Sequence, residues 1–417
     1  MIVYESKLQG TTEQYEKLNQ AIRTGRFVRN SIIRAWIEGT VKSRNGAYSY
    51  CKVLSDNLEF PWAAQLNSMA RQAHAERAWA AIERFYQNCR ANKPGKKGFP
   101  KFAKEQTRAS VEYKTSGYKL SEDRRYITFT DGFKAGQFRL WGTRNLHYYQ
   151  LNQIKRVRIV RRADGYYVQF CIDHTREENK KLTGKQIGLD VGLNHFYTDS
   201  DGNKIDNPRF LRQDEKKLKR LQSQLSKKIK GSNNRIKARE KLARAHLKVS
   251  RKRNDFACKT ARRVIQSTDL VAIENLQVSN MVKNHNLSKS INDAAWYRFR
   301  LWLEYFGRIY GVPVIAVNSR YTSQNCSSCG ATVKKSLSQR THSCKCGCVL
   351  DRDENAGRNI LRAALKELAT TVGHTECQAS GETDLCLVQE TAVSKPTRRK
   401  RNPSERSGES PAILQSN

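Results

Sequence analysis

Five of the eleven cysteines lie within one 23-residue segment, from Cys326 to Cys348. The run Cys326–Gly330 (CSSCG) places two thiols on one tight turn, and its glycine allows the backbone geometry under a bound metal. A second cysteine group follows after 14 intervening residues, a spacing within the range of zinc ribbons. Clustering of this kind predicts a zinc site rather than disulfide bridges. With four protein ligands the site would be closed, and its role therefore structural.

The second cysteine group is irregular, because Cys344–Cys348 (CKCGC) offers three thiols where two are needed. The glycine after Cys346 matches the glycine after Cys329, which favours Cys346 as a ligand. We therefore assign four zinc ligands: Cys326, Cys329, Cys344 and Cys346. Cys348 is then a spare thiol, and His342 is a further candidate for the fourth ligand.

The net charge indicates the class of partner. The chain has 77 Lys and Arg against 39 Asp and Glu, a formal net charge of +38. A surplus of this size repels itself in a compact state unless a polyanion neutralises it, so nucleic acid is the expected partner. No run approaches the roughly 18 apolar residues of a membrane span, and the polar sequence after Met1 predicts no signal peptide. We expect no membrane partner.

Hydrophobic periodicity predicts a helical N-terminal hundred residues and then a β-rich region. A helical stripe begins at Tyr15, and a second long helix is expected over residues 62–89. Lys93–Phe102 contains two prolines and two glycines, which exclude a continuing helix. Short β runs over residues 108–173 include a hairpin signal at Ala163–Gly165. We interpret this region as a small β-barrel with a basic side facing nucleic acid; the alternative is a structural sheet with a solvated basic face.

From Lys185 onward the pattern becomes α/β. Strands are expected at residues 186–191, 269–274 and 312–317, and a last helix at 355–368. Residues 209–265 read as a helical hairpin, and between Glu215 and Arg253 there are 16 Lys or Arg and two acids. A solvated face or contact with nucleic acid would explain that imbalance, and we favour contact. Residues 373–417 are rich in Gly, Ser, Thr, Pro and charge, which predicts a disordered tail.

Three acidic residues fall at the end of a predicted buried strand or at the start of a predicted helix: Asp190, Glu274 and Asp353. A buried carboxylate is costly unless it is ion-paired or bound to a metal. Each acid alone has a simpler explanation, since Asp353 suits a helix N-terminus and Asp190 can cap a turn. Together they suit a site where carboxylates hold two divalent ions about 4 Å apart, activate a water and stabilise the leaving oxygen of a phosphodiester. Magnesium prefers such oxygen ligands.

Four motifs in order along the chain resemble the transposon-encoded TnpB (OrfB) family, compact relatives of the type V CRISPR effectors. They are Gly188–Gly192 (GLDVG), Ile273–Leu276 (IENL), Tyr321–Gly330 (YTSQNCSSCG) and Asp351–Ala356 (DRDENA). Together with the Lys96–Phe102 loop and the helix before it, the resemblance covers about residues 1–372. It implies an RNA-guided endonuclease that cuts target double-stranded DNA beside a short motif, with a guide RNA derived from the transposon end.

The resemblance also implies an α+β multidomain fold with an RNase H-like (RuvC) nuclease domain. Its catalytic, magnesium-binding acids would be Asp190, Glu274 and Asp353, and its cofactors would be two Mg²⁺, a structural Zn²⁺ and the guide RNA. The zinc element would be an insertion that binds the target nucleic acid. The CxC pair departs from the family pattern and leaves the second pair of zinc ligands open.

The expected domains follow the chain in order. They are residues 1–10, the first strand of a wedge domain; 11–102, a helical recognition lobe; 103–180, the β-barrel wedge domain; 181–325, the first part of the nuclease; 326–348, the zinc-binding insertion; 349–372, the last part of the nuclease; and 373–417, the disordered tail. Such a protein is expected in the prokaryotic cytoplasm, associated with the nucleoid. Its oligomeric state is open. Two alternatives are a protein-only transposase with an RNase H fold and a non-catalytic, zinc-bearing regulator of nucleic acids.

Overall fold

Helices form the N-terminal part of the protein, and they pack against the sheet that follows in the chain. The computed structural model describes residues 1–104, 110–142, 145–336 and 338–371; the predicted tail at 373–417 lies outside them. The described residues fall within one compact unit. The first four helices are α1 Thr12–Ile37, α2 Arg44–Asp56, α3 Pro61–Gln65 and α4 Ser68–Arg90. A capping box between Thr11 and Gln14 begins α1.

The single helix expected over residues 62–89 is wrong, because α3 and α4 are separate. Asn67 lies between them, and its side chain accepts a hydrogen bond from the N–H of Met69 at 2.8 Å. The N–H of Asn67 donates to the buried carboxylate of Asp131, also at 2.8 Å. Periodicity could not show this break, because apolar residues on both sides keep helical spacing and the bonding partner is distant in sequence.

Seven antiparallel strands form the first sheet. They are β1 Ile2–Gln9, β2 Ser110–Tyr113, β3 Tyr118–Leu120, β4 Tyr126–Phe129, β5 Gln137–Trp141, β6 Ile154–Arg162 and β7 Gly165–Ile172. Their order is β2-β6-β7-β1-β5-β4-β3, so the N-terminal strand lies in the middle of the sheet. Phe138 and Phe170 are fully buried in its core, against Leu18 and Ile22 of α1. The described strands leave β2 and β3 as edges, and closure into a barrel stays a prediction.

A second sheet has five strands. They are β8 Gln186–Asp190, β9 His195–Asp199, β10 Lys204–Asp206, β11 Leu270–Glu274 and β12 Val314–Val317. The spatial order is β10-β9-β8-β11-β12; β8, β11 and β12 are parallel, and β9 is antiparallel to both of its neighbours. The parallel strands read as continuous apolar runs because helices cover both faces of the sheet.

Six helices accompany the second sheet: α5 Phe210–Ser226, α6 Asn233–Ser267, α7 Val278–Met281, α8 His285–Ala294, α9 Trp296–Tyr310 and α10 Arg352–Thr371. Helices α6 and α9 cover one face, where Phe299 and Leu303 pack on Val271 and Ile273. On the opposite face Ile360 of α10 packs on Ala272. A small ribbon, β13 Thr341–Ser343 and β14 Val349–Asp351, leads directly into α10.

The basic helical hairpin predicted over residues 209–265 is present as α5 and α6. Its own core is small and contains Leu218, Leu242 and Val249, so most of its surface carries the charged side chains. Arg251 of α6 contacts the first sheet, where its guanidinium donates to the Asp164 carboxylate at 2.6 Å. None of the described helices combines the length and the apolar character that crossing a membrane requires.

Candidate functional site

Asp190 and Glu274 end two neighbouring strands of the second sheet. Strands β8 and β11 run parallel, and Leu189 lies opposite Ile273 in their register. The next residue on each strand is acidic, so both carboxylates reach the same edge of the sheet. This is the end at which open α/β sheets bind their ligands.

Both acids are on the face of the sheet that α10 covers. Gly188 contacts α10 so closely that a Cβ atom there would lie 2.1 Å from the carbonyl oxygen of Gly357. Since alternate residues of a strand share a face, Asp190 also faces α10. Asp353 lies in the first turn of this helix, where its N–H donates to the Asp351 carboxylate at 2.8 Å. The structure therefore brings the three predicted acids together.

The other two acids act electrostatically on Asp190. Burial raises the pKa of Asp190 well above its usual value, and the nearby charges of Glu274 and Asp353 raise it further. Burial also raises the pKa of Glu274, while a hydrogen bond from the Thr322 hydroxyl at 2.5 Å acts in the opposite direction. No described group donates a hydrogen bond to Asp190. The charge of Arg352 acts in the opposite direction but only partly offsets the effect of these like charges on Asp190. Such a group of carboxylates fits a binding site for divalent cations.

The three acids are spread more widely than the cysteine ligands. Among the described residues, sets of three or more ligand atoms within 4.8 Å of one another occur in the cysteine cluster and not at Asp190, Glu274 and Asp353. Cations flank the acids: Arg340 lies 3.6 Å from the Asp353 carboxylate, and Lys204 lies 2.6 Å from that of Asp351.

The four cysteines assigned from the sequence also converge. Their sulfur atoms lie within 4.8 Å of one another, with Cys326 Sγ 3.7 Å from Cys346 Sγ and Cys329 Sγ 3.6 Å from Cys344 Sγ. Four thiolates around one zinc ion, each with a Zn–S bond of about 2.3 Å, would lie about 3.8 Å apart. A disulfide would need about 2.05 Å. The cluster therefore has the donor atoms and spacing of a four-thiolate metal site.

The other two candidate ligands form a second set with Cys326. His342 and Cys348 have ligand atoms within 4.8 Å of each other and of Cys326 Sγ. His342 is fully buried, and its Nδ1 contacts the Lys335 ammonium. Its other ring nitrogen, Nε2, is buried without a hydrogen-bond partner among the described residues. His342 and Cys348 therefore stay alternative metal ligands beside Cys326.

Sequence reasoning missed the residues that connect the cysteine cluster to α10. Asn355 is fully buried; its side-chain oxygen accepts from the N–H of Ser327 at 2.9 Å, and its amide nitrogen donates to Asn325 O at 2.8 Å. Asn359 also donates to Asn325 O, at 2.7 Å. The sequence showed Asn355 only as a member of the Asp351–Ala356 motif, and its spacing of four residues from Asn359 puts both on one helix face. Helix α10 therefore carries Asp353 in its first turn and also holds the cysteine turn through Asn355 and Asn359.

Family models match two parts of this chain. A model of the OrfB_IS605 family, described as "Probable transposase", matches residues 169–285, and a model of the Cas12f1-like TNB domain matches residues 296–360. A Streptomyces pristinaespiralis protein provisionally named RNA-guided DNA endonuclease is 37% identical over 231 residues, which are 55% of this chain and 57% of that protein.

A second relative decides the family. The Escherichia coli K12 protein provisionally named RNA-guided DNA endonuclease InsQ is 31% identical over 305 residues, 69% of this chain and 73% of that protein. The chain belongs to the TnpB (OrfB) family. The resemblance seen in the sequence is confirmed, although this TnpB-family chain spans little more than half the length of the Streptomyces relative.

Two solved structures share the mixed α/β fold of this TnpB-family protein. One is Cas12f1 in a complex with single guide RNA and target DNA, with a TM-score of 0.51, 16% identity and coverage of 84% of this chain and 83% of that one. The other is the mini RNA-guided endonuclease Cas-phi3, with a TM-score of 0.54, 11% identity and coverage of 87% and 92%. At these identities the likeness concerns the fold alone.

Proposed function

We propose that this TnpB-family protein is an RNA-guided, divalent-metal-dependent endonuclease that cuts double-stranded DNA. The observation that carries the proposal is the convergence of Asp190, Glu274 and Asp353 without a hydrogen-bond donor to Asp190 among the described residues. The names of its relatives support the same reaction class. The strand order of the second sheet, with its second strand antiparallel, supports an RNase H-like (RuvC) nuclease domain.

In this proposal Asp190, Glu274 and Asp353 hold two Mg²⁺ ions. Bound there, the ions would activate a water and stabilise the leaving oxygen of the cut phosphodiester. The chain's part is to fix the three carboxylates on rigid elements. Asp190 and Glu274 end paired strands, and α10 is held against β8 at Gly188. Thr322 orients Glu274 and favours its ionised form, the form that binds a cation.

The remaining elements would bind nucleic acid. The first sheet and the N-terminal helices correspond to the proposed wedge and recognition regions, and α5 and α6 present the largest concentration of positive charge. A guide RNA from the transposon end and its duplex with target DNA would neutralise this charge. Four cysteines, Cys326, Cys329, Cys344 and Cys346, would hold a structural zinc ion, because thiolates suit zinc and exclude magnesium. Such an enzyme would act on the DNA of a prokaryotic cytoplasm.

A protein-only transposase is the second candidate, favoured by the "Probable transposase" description of the model that matches residues 169–285. It would use the same acids for strand transfer and would bind transposon ends without RNA. The two candidates therefore differ in the need for RNA, not in the site.

The test is to express the full chain with its native flanking DNA, purify it and sequence the RNA that accompanies it. The proposal predicts one discrete RNA that maps to the transposon end and continues into a variable segment. Heterogeneous RNA, or none, together with specific binding to transposon ends would contradict guided recognition and favour the protein-only transposase.

A further inference from the structure

A cavity of about 470 Å³ lies away from the three acids, between α1, α3 and the segment that follows β4. The side chains that matter for its chemistry are two guanidinium groups, two amides and two aromatic rings: Arg23, Arg26, Gln20, Gln65, Phe27 and Trp62. Its volume is in the range of pockets that hold small organic ligands. Neither the nuclease site nor the cysteine cluster uses any of these residues.

Hydrogen bonds between the helices and the first sheet fix the shape of this cavity. The N–H of Gly132 donates to the carbonyl oxygen of Gln65 at 2.7 Å, and the Asn67 side chain donates to the Thr130 hydroxyl at 2.9 Å. Asp131, which is 8% exposed, accepts from both Asn67 and the Tyr113 hydroxyl. A Cβ at Gly132 would approach the Gln65 backbone to 3.1 Å, so the two segments are in contact. The cavity is therefore preformed by its walls.

One wall offers a partly exposed aromatic surface. The rings of Phe27 and Trp62 meet edge to face with centroids 4.4 Å apart, and Phe60 supports both from behind at 4.8 and 5.8 Å. Trp62 is held in place by these contacts but remains 36% exposed. A large ring that is ordered and accessible suits the face of a planar ligand, because stacking then costs little conformational entropy.

Another wall is cationic. Arg23 and Arg26 are three residues apart on α1 and therefore project from the same side of the helix. The described side chains that line the cavity include no acid. Guanidinium groups bind phosphate oxygens with two parallel hydrogen bonds, and Gln amides pair with the edges of bases. Flat aromatic surface, phosphate-binding cations and amides in one cavity match the parts of a nucleotide.

We propose that this cavity binds one unstacked nucleotide of a nucleic acid strand, with its base on Trp62 and Phe27 and its phosphate on Arg23 and Arg26. An acidic peptide would use the cations but leave the aromatic wall and the two amides without partners. This inference rests on the proposed function in one respect, namely that the partner is a nucleic acid. It does not depend on DNA cleavage. The strand is RNA or DNA, and the experiment distinguishes the two.

The test is photo-crosslinking of the full chain, without added Mg²⁺ so that nothing is cut, to single strands that carry 5-iodouracil. One arm uses RNA and the other uses DNA of the same sequence, and mass spectrometry locates the adducts. The proposal predicts adducts at Trp62 or Phe27 in at least one arm, and that arm identifies the strand. Base stacking of this kind changes affinity about 5- to 150-fold when the ring is removed.

Matched variants separate the cavity from general binding to a basic surface. Arg26→Gln and Arg34→Gln each remove one charge from α1, but Arg34 is outside the cavity. Arg26→Gln should lower the adduct yield at Trp62 at least fivefold, and Arg34→Gln less than twofold. Trp141, which is 60% exposed on β5, is the control for ring exposure alone and should give no stronger adduct than Trp62.

Adducts only outside the cavity, or equal yields at Trp62 in the Arg26→Gln and Arg34→Gln variants, would overturn the proposal. A guided-cleavage assay on the same preparation distinguishes failure of the nucleotide-site proposal from failure of the nuclease proposal. Cleavage without cavity adducts would refute the nucleotide site alone. Cavity adducts without guide-dependent cleavage would support the nucleotide site and count against the guided nuclease.

Discussion

Replacing Gly188 by alanine tests whether the contact between β8 and α10 sets the geometry of the acids. The new Cβ would lie 2.1 Å from Gly357 O and 2.7 Å from Leu361 N, both backbone atoms of α10, whereas ordinary contacts begin near 3.4 Å. Because a helix backbone cannot rotate away as a side chain can, α10 must move by about 1 Å or more in a close-packed interior. Asp353 moves with α10, while Asp190 stays with β8.

The size of the effect follows from that displacement. Overpacking of this kind costs about 1–3 kcal/mol of unfolding free energy. A misplacement of catalytic groups by about 1 Å costs about 100-fold in rate. We therefore expect Gly188→Ala to lower the rate of guided DNA cleavage about 100-fold at saturating Mg²⁺. Its melting temperature should fall by only a few degrees.

The assay is single-turnover cleavage by the protein–RNA complex, together with a measurement of its affinity for the RNA. RNA affinity should be unchanged, because Gly188 is buried where β8 packs against α10 and RNA cannot reach it. The control is Gly46→Ala in α2, where the new Cβ would meet only the movable Ser43 hydroxyl at 3.3 Å and a Val41 methyl group at 4.0 Å. A Gly188→Ala protein that cuts at half the native rate or faster would refute this account of how Asp353 is positioned.

Three further changes test the two proposed metal sites. Because the folded-state pKa of Asp190 is raised, its ionisation destabilises the metal-free protein increasingly as the pH rises above about 4. Asp190→Asn should therefore raise the metal-free melting temperature at pH 8 and abolish both stabilisation by Mg²⁺ and cleavage. An unchanged melting temperature would contradict this. Thr322→Val removes the hydrogen bond that lowers the pKa of Glu274, so the acidic limb of the pH–rate profile should move to higher pH, and an unmoved limb would count against that role. Cys329→Ser should lose zinc by elemental mass spectrometry while Cys89→Ser, at another exposed cysteine, retains it; equal zinc contents would show that the ligand assignment is wrong.

Local patterns predicted much of the second sheet and the positions of its acids. Apolar runs such as Leu270–Ile273 indicate a strand covered on both faces, and an acid at the end of such a run is conspicuous because burial without a partner is costly. The parallel register that places Asp190 beside Glu274 was not visible, since pairing depends on residues more than 80 positions apart in the chain. The positions of the acids at strand ends and a helix start suggested that they act together, and the TnpB resemblance added their catalytic role.

The parts that the sequence could not show depend on contacts distant along the chain. Separation of α3 from α4 depends on Asn67 bonding to Asp131, and periodicity carries no information about that partner. The connection of Asn355 to the cysteine turn is of the same kind, because a buried amide in a helix looks like any polar residue until its partners are known. The cavity beside Trp62 is likewise assembled from segments that are far apart in sequence.

The central claim is that a guide RNA directs the cutting of DNA by the site that Asp190, Glu274 and Asp353 form. The most direct measurement supplies one protein preparation with two guides that differ only in the variable segment, and gives each complex both matching DNA targets in Mg²⁺. The account predicts that each guide cuts its own target and spares the other, and that Asp353→Ala cuts neither while still binding guide RNA. Cutting that ignores the guide, or that persists in Asp353→Ala, would contradict the account.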